Sequence, residues 1–257
     1  MKHQTNISTK HIISEQLSEF RLLIRSVPPV MLILFVVTVF FMNILANKSI
    51  QLPFEWLALD CGLVVSWFVF LALDIITKHF GPRAATQLSI FAMLLNLALC
   101  LVFYFVSIIP GTWGASYDVP GSEAVINTAL DSTFGGTWYI ILGSAIAFLV
   151  SSIVNNFLNA GVGKAFIKNP NGIGAYLCRS CVSTAVGQFT DNFVFAMLVS
   201  RVFFGWSLVQ CITCSIFGML AELLCESVFS IFGYWICERW RANKVGEEYL
   251  SCVQVTA

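Results

Sequence analysis

The chain has 257 residues, is 58% hydrophobic and 11% charged, and carries no net charge. A soluble domain holds ~25% charged residues, so this composition excludes a water-soluble fold. Neutrality excludes a general electrostatic attraction to nucleic acid, and the 23 Phe and 7 Trp suit a lipid-facing surface with aromatic boundaries.

Residues 1–27 read as a cytoplasmic amphipathic segment. Ile13, Leu17, Phe20, Ile24 and Val27 form one stripe of a helix from His11 to Val27, which Pro28-Pro29 ends. Such a helix is expected on the inner membrane surface. A hydrocarbon core of ~30 Å takes ~20 helical residues. Val30–Ala46, Leu57–Leu73, Leu88–Ile109, Trp138–Leu158 and Ser180–Ser200 meet that need in turn, and Ser207–Cys237 contains a sixth segment. Residues 28–240 are therefore expected to form an all-α polytopic domain of six transmembrane helices, followed by a cytoplasmic tail over 241–257. The third and fourth segments are joined by Pro110–Thr137, in which Ser122 to Ser132 reads as a short helix able to cover the outer face.

The cations orient this arrangement. With the amino terminus inside, 12 of the 14 Lys and Arg fall on the inner side, and only Lys48 and Arg201 fall outside. The positive-inside rule then places both termini in the cytoplasm of a multi-pass cell-membrane protein.

Cys178-x2-Cys181 and Cys211-x2-Cys214 have the spacing of a four-thiolate zinc site. The helix order separates the pairs by most of the bilayer, roughly 20–30 Å, so they read as small apolar residues and no metal or other cofactor is expected. Polar groups at membrane depth are more informative, because a charge at a helix centre costs ~2.5–3.5 kcal/mol on translocon scales. Thr184, Gln188, Asp191 and Asn192 form one polar face of the fifth span. Glu222 and Glu226 lie one turn apart in the sixth, in line with Ser215 and Gly218. No Lys or Arg stands at the depth of these three carboxylates, so they must share protons, hold a cation or meet a donor-bearing ligand. Asn96, Asn155 and Asn156 serve equally well as bonds between helices, and Gly143, Ala147 and Ser151 form a close-packing stripe. Asp74 has an ion-pair partner in Lys78 one turn on. Trp67, near the centre of the second predicted span, reads either as an ordinary packed aromatic or as a platform for a flat ring.

Three segments carry a family resemblance. Asn43-Ile-Leu-Ala-Asn-Lys48 with Leu52-Pro-Phe54, Phe70-Leu-Ala-Leu-Asp74-Ile-Ile-Thr-Lys78-His-Phe80-Gly81, and Ser183-Thr-Ala-Val-Gly187-Gln188-Phe-Thr-Asp191-Asn-Phe-Val-Phe195 stand in order on the first, second and fifth helices. Together they resemble the queuosine precursor transporters, also called the vitamin-uptake-transporter-like family, over roughly residues 30–240. Ser66-Trp67 stands where that family has Phe-Pro, Glu222 where a Lys is common, and Asn155 where an acidic residue is usual. The resemblance implies import of a 7-deazaguanine base, in its cyano or aminomethyl form, or of queuine. With the polar face, the unpaired carboxylates and Trp67 singled out above, the expected substrate-binding residues are Asp191, Gln188, Glu222, Glu226, Asn192, Trp67, Asn43 and Asp74.

A guanine-like edge presents a ring N–H beside an exocyclic amino group, and one carboxylate can accept both. Autonomous secondary transport is the expected mechanism. The alternative is a substrate-binding subunit that borrows an external ATPase, since the chain has no phosphate-binding Gly-x4-Gly-Lys-Ser/Thr loop. The absence of Ala or Gly over 30–45 disfavours that alternative, because such subunits dock their coupling partner through Ala-x3-Ala. The only histidines are His3, His11 and His79, and no hydrolase or zinc-protease motif appears, so the chain is not expected to be an enzyme. The expected partners are a small-molecule substrate and the bilayer, with a homodimer left open and nucleic acid excluded.

Overall fold

The fold is a set of helices running up and down the chain, with one pair of two-residue strands among the described residues. The computed structural model describes residues 15–165 and 185–256. Helix α1 (Glu15–Ser26) meets α2 (Pro29–Leu45) at a bend of 105°. Pro29 occupies the first position of α2, where a missing N–H leaves no bond unmade. Strands β1 (Ser49–Ile50) and β2 (Leu59–Asp60) pair antiparallel, Ser49 facing Asp60. Then come α3 (Leu63–Phe80), α4 (Pro82–Ile108), a 3-10 turn (Gly114–Tyr117), α5 (Glu123–Gly135) and α6 (Trp138–Ala165). Helix α7 covers 185–203 and includes a π-turn at Ala196–Ser200. Helices α8 (Leu208–Ala242) and α9 (Glu247–Thr256) complete the chain.

Four stretches are long and apolar enough to cross a membrane: Leu63–Phe80, Pro82–Ile108, Glu123–Ser151 and Leu208–Phe229. The α1–α2 pair, bent by 105°, counts as a fifth if the two helices form one broken span. The chain is thus an all-α, multi-pass membrane protein. The fifth expected segment, Ser180–Ser200, begins outside the described residues and continues as α7.

The second span differs from its expected position. It starts at Leu63 rather than Leu57, because Leu59 and Asp60 are drawn into the strand pair and Asp60 Oδ1 accepts the Gly62 N–H at 2.8 Å. An acidic side chain that caps a free N–H at a helix start is a strong local stop for the extended segment before it. Trp67 consequently lies in the first turns of α3 rather than at mid-depth. The helix ends at Gly81, whose φ of +92° needs glycine, and Pro82 opens α4.

The chain divides into two compact units. The described residues of the first come from Met1–Thr38, Phe68–Ala92 and Glu226–Ala257. In it Leu23, Val27, Met31 and Phe35 are buried at a spacing of four, along a row that continues through the α1–α2 bend. Leu17, on the predicted apolar stripe, is 52% exposed, whereas Leu23, off that stripe, is fully buried. The face of α1 set against protein is therefore centred on Leu23 and Val27. Phe80 packs against Trp240 and the edge of Tyr249, and His79 Nε2 makes a 2.9 Å hydrogen bond with the Val245 carbonyl. The Tyr249 ring is fully buried and its hydroxyl donates to Glu19 Oε1 at 3.5 Å. Burial, followed by the Glu19 charge, pushes this hydroxyl up to about 12, so it remains a donor at physiological pH.

The second unit takes Val39–Trp67 and Met93–Cys225. Ala58, Ala196, Trp206, Cys211 and Cys214 form one of its apolar clusters. The second cysteine pair therefore packs as small apolar side chains, as expected; Cys178 and Cys181 lie outside the described residues. The stripe Gly143, Ala147, Ser151 brings α6 close to α7, and a methyl at Gly143 would overlap Val199 Cγ2. The predicted loop helix is present as α5, one residue later at its start and three at its end.

Candidate substrate site

Two carboxylates of the second unit, Glu222 and Asp191, accept hydrogen bonds across helices. Glu222 is 2% exposed in α8. Its Oε1 accepts the Ser66 hydroxyl of α3 at 2.7 Å, and its Oε2 accepts the Asn192 amide of α7 at 3.2 Å. One side chain thus ties three helices with both oxygens engaged. Charge-assisted bonds of this kind offset the desolvation of a buried carboxylate. Gly218, one turn before Glu222, makes the tie possible. A Cβ there would sit 3.0 Å from Asn192 Nδ2, tighter than ordinary contact.

Asp191 is the neighbour of Asn192 on α7. Its Oδ1 accepts the Ser151 hydroxyl of α6 at 3.0 Å, and among the described residues no hydrogen bond reaches its Oδ2. The ion pairs among the described residues involve neither Asp191 nor Glu222. Asp191 therefore has one donor where Glu222 has two, and one of its oxygens is left to accept others. Gln188, one turn before Asp191 and Asn192, is 3% exposed on the same helix. The π-turn begins four residues after Asn192. It loosens the helix beside the polar face, a feature often met at functional sites.

The structure brings together Asp191, Asn192, Glu222 and Gln188 within the second unit. Three other nominated residues bond within their own helices. Trp67 donates its indole N–H to the Val64 carbonyl of its own helix at 2.9 Å, and Asn43 donates to the Val39 carbonyl one turn back at 3.0 Å. Asp74 belongs to the first unit and pairs with Lys78 at a partly exposed position. The side chains of Glu226, Asn155 and Asn156, and the whole of Thr184, lie outside the described residues. Three contributors were missed as such in the sequence: Ser66 and Ser151 as donors, and Gly218 as the space into which Asn192 fits. Ser151 and Gly218 were visible only as small residues on a stripe.

Comparison with known proteins bears on the same region. A family model described as "putative vitamin uptake transporter" matches residues 60–236, which include Ser66, Ser151, Asp191, Asn192, Gly218 and Glu222. A "probable queuosine precursor transporter" of Bacillus subtilis (strain 168) is 28% identical over 157 residues, covering 60% of this chain and 63% of the relative. The chain thus spans less than two thirds of that relative's length. No solved structure matches it.

Proposed function

The chain belongs to the vitamin uptake transporter family, and on that premise we propose that it imports a queuosine precursor, a 7-deazaguanine base, with Asp191 as the carboxylate that receives the substrate. The observation that carries the assignment is the unequal engagement of the two carboxylates. Glu222 has a donor on each oxygen, whereas Asp191 has one donor on one oxygen. A guanine-like edge offers two parallel N–H donors, which a carboxylate with open lone pairs accepts in a planar pair. Glu222, Ser66 and Asn192 then hold α3, α7 and α8 in the arrangement that presents Asp191. Gln188 supplies an amide for the neighbouring ring atoms.

The relative's name supports the substrate class. In this reading six helices cross the membrane, the last described as α8, with both termini in the cytoplasm on the strength of the cation distribution. Transport is autonomous. Uptake of radiolabelled 7-cyano- and 7-aminomethyl-7-deazaguanine tests this in cells that lack their own importer and express this chain alone. Uptake above the empty-vector level is expected. Its absence with normal membrane insertion would remove either the substrate or the autonomy, and adding back an ATPase module would separate the two.

A further inference from the structure

Outside the carboxylate network, the second unit holds a built cavity in the segment between α4 and α6. It has a volume of about 280 Å³, with Val106, Ile109, Thr112, Trp113 and Asp131 in its lining. Trp113 is fixed at two points. Its backbone N–H donates to Asn127 Oδ1 at 2.9 Å and its indole N–H to Asp131 Oδ1 at 2.8 Å. Phe134 backs the indole, with ring centroids 5.3 Å apart and planes 20° from parallel. Asn127 also accepts the Ser116 hydroxyl at 3.0 Å, so the turn that carries Trp113 is held independently of the Asp131 contact.

The result is an indole wall with a carboxylate at its edge. Among the described residues no hydrogen bond reaches Asp131 Oδ2. Residues 110–137 contain Asp118, Glu123 and Asp131 and no Lys or Arg, so the segment that builds the cavity carries net negative charge. An aromatic face beside an open carboxylate favours an organic cation over a neutral molecule of the same shape, through ring quadrupole and charge together. The volume, close to the lower limit of ~300 Å³ for ligand pockets, admits one ring and a short chain. We infer that this cavity is a binding site for a small organic ammonium ion, with Asp131 as its counter-charge and Trp113 as its aromatic wall. As a point of first capture for a cationic form of the substrate it rests on the transport reading above. As a binding site it does not.

Binding of benzylammonium to the full chain in zwitterionic nanodiscs tests the site directly, with benzyl alcohol as the neutral control and empty discs subtracted. Saturable benzylammonium binding is expected, with the alcohol at least about tenfold weaker, as loss of a charge-assisted contact implies. Asp131→Asn keeps an acceptor for the Trp113 indole, and it should remove the preference for the cation. Val106→Trp, which fills the cavity from a partly exposed position, should remove binding with Asp131 intact. Equal affinity for the two probes, absence of saturable binding, or unchanged binding in both variants would overturn the inference. So would loss of binding in Asp191→Asn with retention in Asp131→Asn, because the amine would then belong to the membrane-depth site. None of these results depends on whether deazaguanine is transported.

Discussion

Replacing Glu222 separates a structural carboxylate from a substrate-binding one. In Glu222→Gln the side-chain oxygen can face Asn192 Nδ2 and the new amino group can face Ser66 Oγ. The Ser66 hydroxyl then turns to the Leu63 carbonyl, already 3.4 Å away. Both contacts survive as neutral hydrogen bonds of ~0.5–1.5 kcal/mol each. Glu222→Ala loses both, so Gln should retain about 1–3 kcal/mol that Ala does not, before any cavity is counted. At roughly 2–4 °C per kcal/mol for a chain of this size, the two variants should melt about 2–12 °C apart in detergent. Uptake of the labelled base, normalised to inserted protein, should persist in Glu222→Gln and fall in Glu222→Ala. Well-folded Glu222→Gln without uptake would refute the reasoning, because it would show that the negative charge of Glu222, and not its hydrogen-bond tie, is what transport needs.

Three further outcomes follow from the packing. Gly218→Ala forces Asn192 to retreat by a few tenths of an ångström from a 3.0 Å contact. Uptake should drop several-fold, while stability moves by less than about 2 kcal/mol, since the helix gains up to ~1 kcal/mol from alanine. Gly143→Leu collides with Val199 in the π-turn of α7 and should destabilise by about 1–3 kcal/mol, read as a lowered melting temperature, with Gly143→Ala milder. Tyr249→Ala should release α9 to rapid hydrogen exchange at a loss of about 3–5 kcal/mol. Tyr249→Phe, which removes only the 3.5 Å bond to Glu19, should stay within about 1 kcal/mol of the parent.

How far the sequence reveals this protein depends on what a residue type can signal in lipid. Carboxylates inside apolar segments stand out, so Asp191, Glu222 and the Asp74–Lys78 pair were legible without coordinates. Their donors were not. Ser66 lies 156 positions from Glu222, and Ser151 lies 40 from Asp191. A lone hydroxyl has no mark as a donor until two helices pack. Buried faces divide in the same way. On α4 the buried Ala85, Ser89, Ala92, Asn96 and Cys100 are small or polar and readable in principle, with Leu88 the large apolar exception. On α2 the buried Met31, Phe35 and Val39 have the same chemistry as the exposed Ile33, Val37 and Phe41, because lipid and protein interior reward the same side chains. Helix starts were the other weakness. Ala58 and Leu59 are apolar enough to extend a hydropathy window, yet the Asp60 cap and the strand pair set the start of α3 at Leu63. The second-helix motif is likewise mainly architectural here. Asp74 pairs with Lys78, Phe80 fills the first unit, and Gly81 supplies the turn.

The central claim is that Asp191, through lone pairs left open within the protein, takes up the donor edge of a deazaguanine. Its most direct measurement is uptake of the labelled cyano form by cells expressing this chain alone, compared with Asp191→Asn at matched levels of inserted protein. Asn offers an amino group where a carboxylate oxygen stood, so a pair of charge-assisted bonds at ~1.5–3 kcal/mol becomes a donor facing a donor. A loss of more than about a hundredfold in kcat/KM is expected, with membrane insertion intact. Wild-type uptake by Asp191→Asn would contradict it.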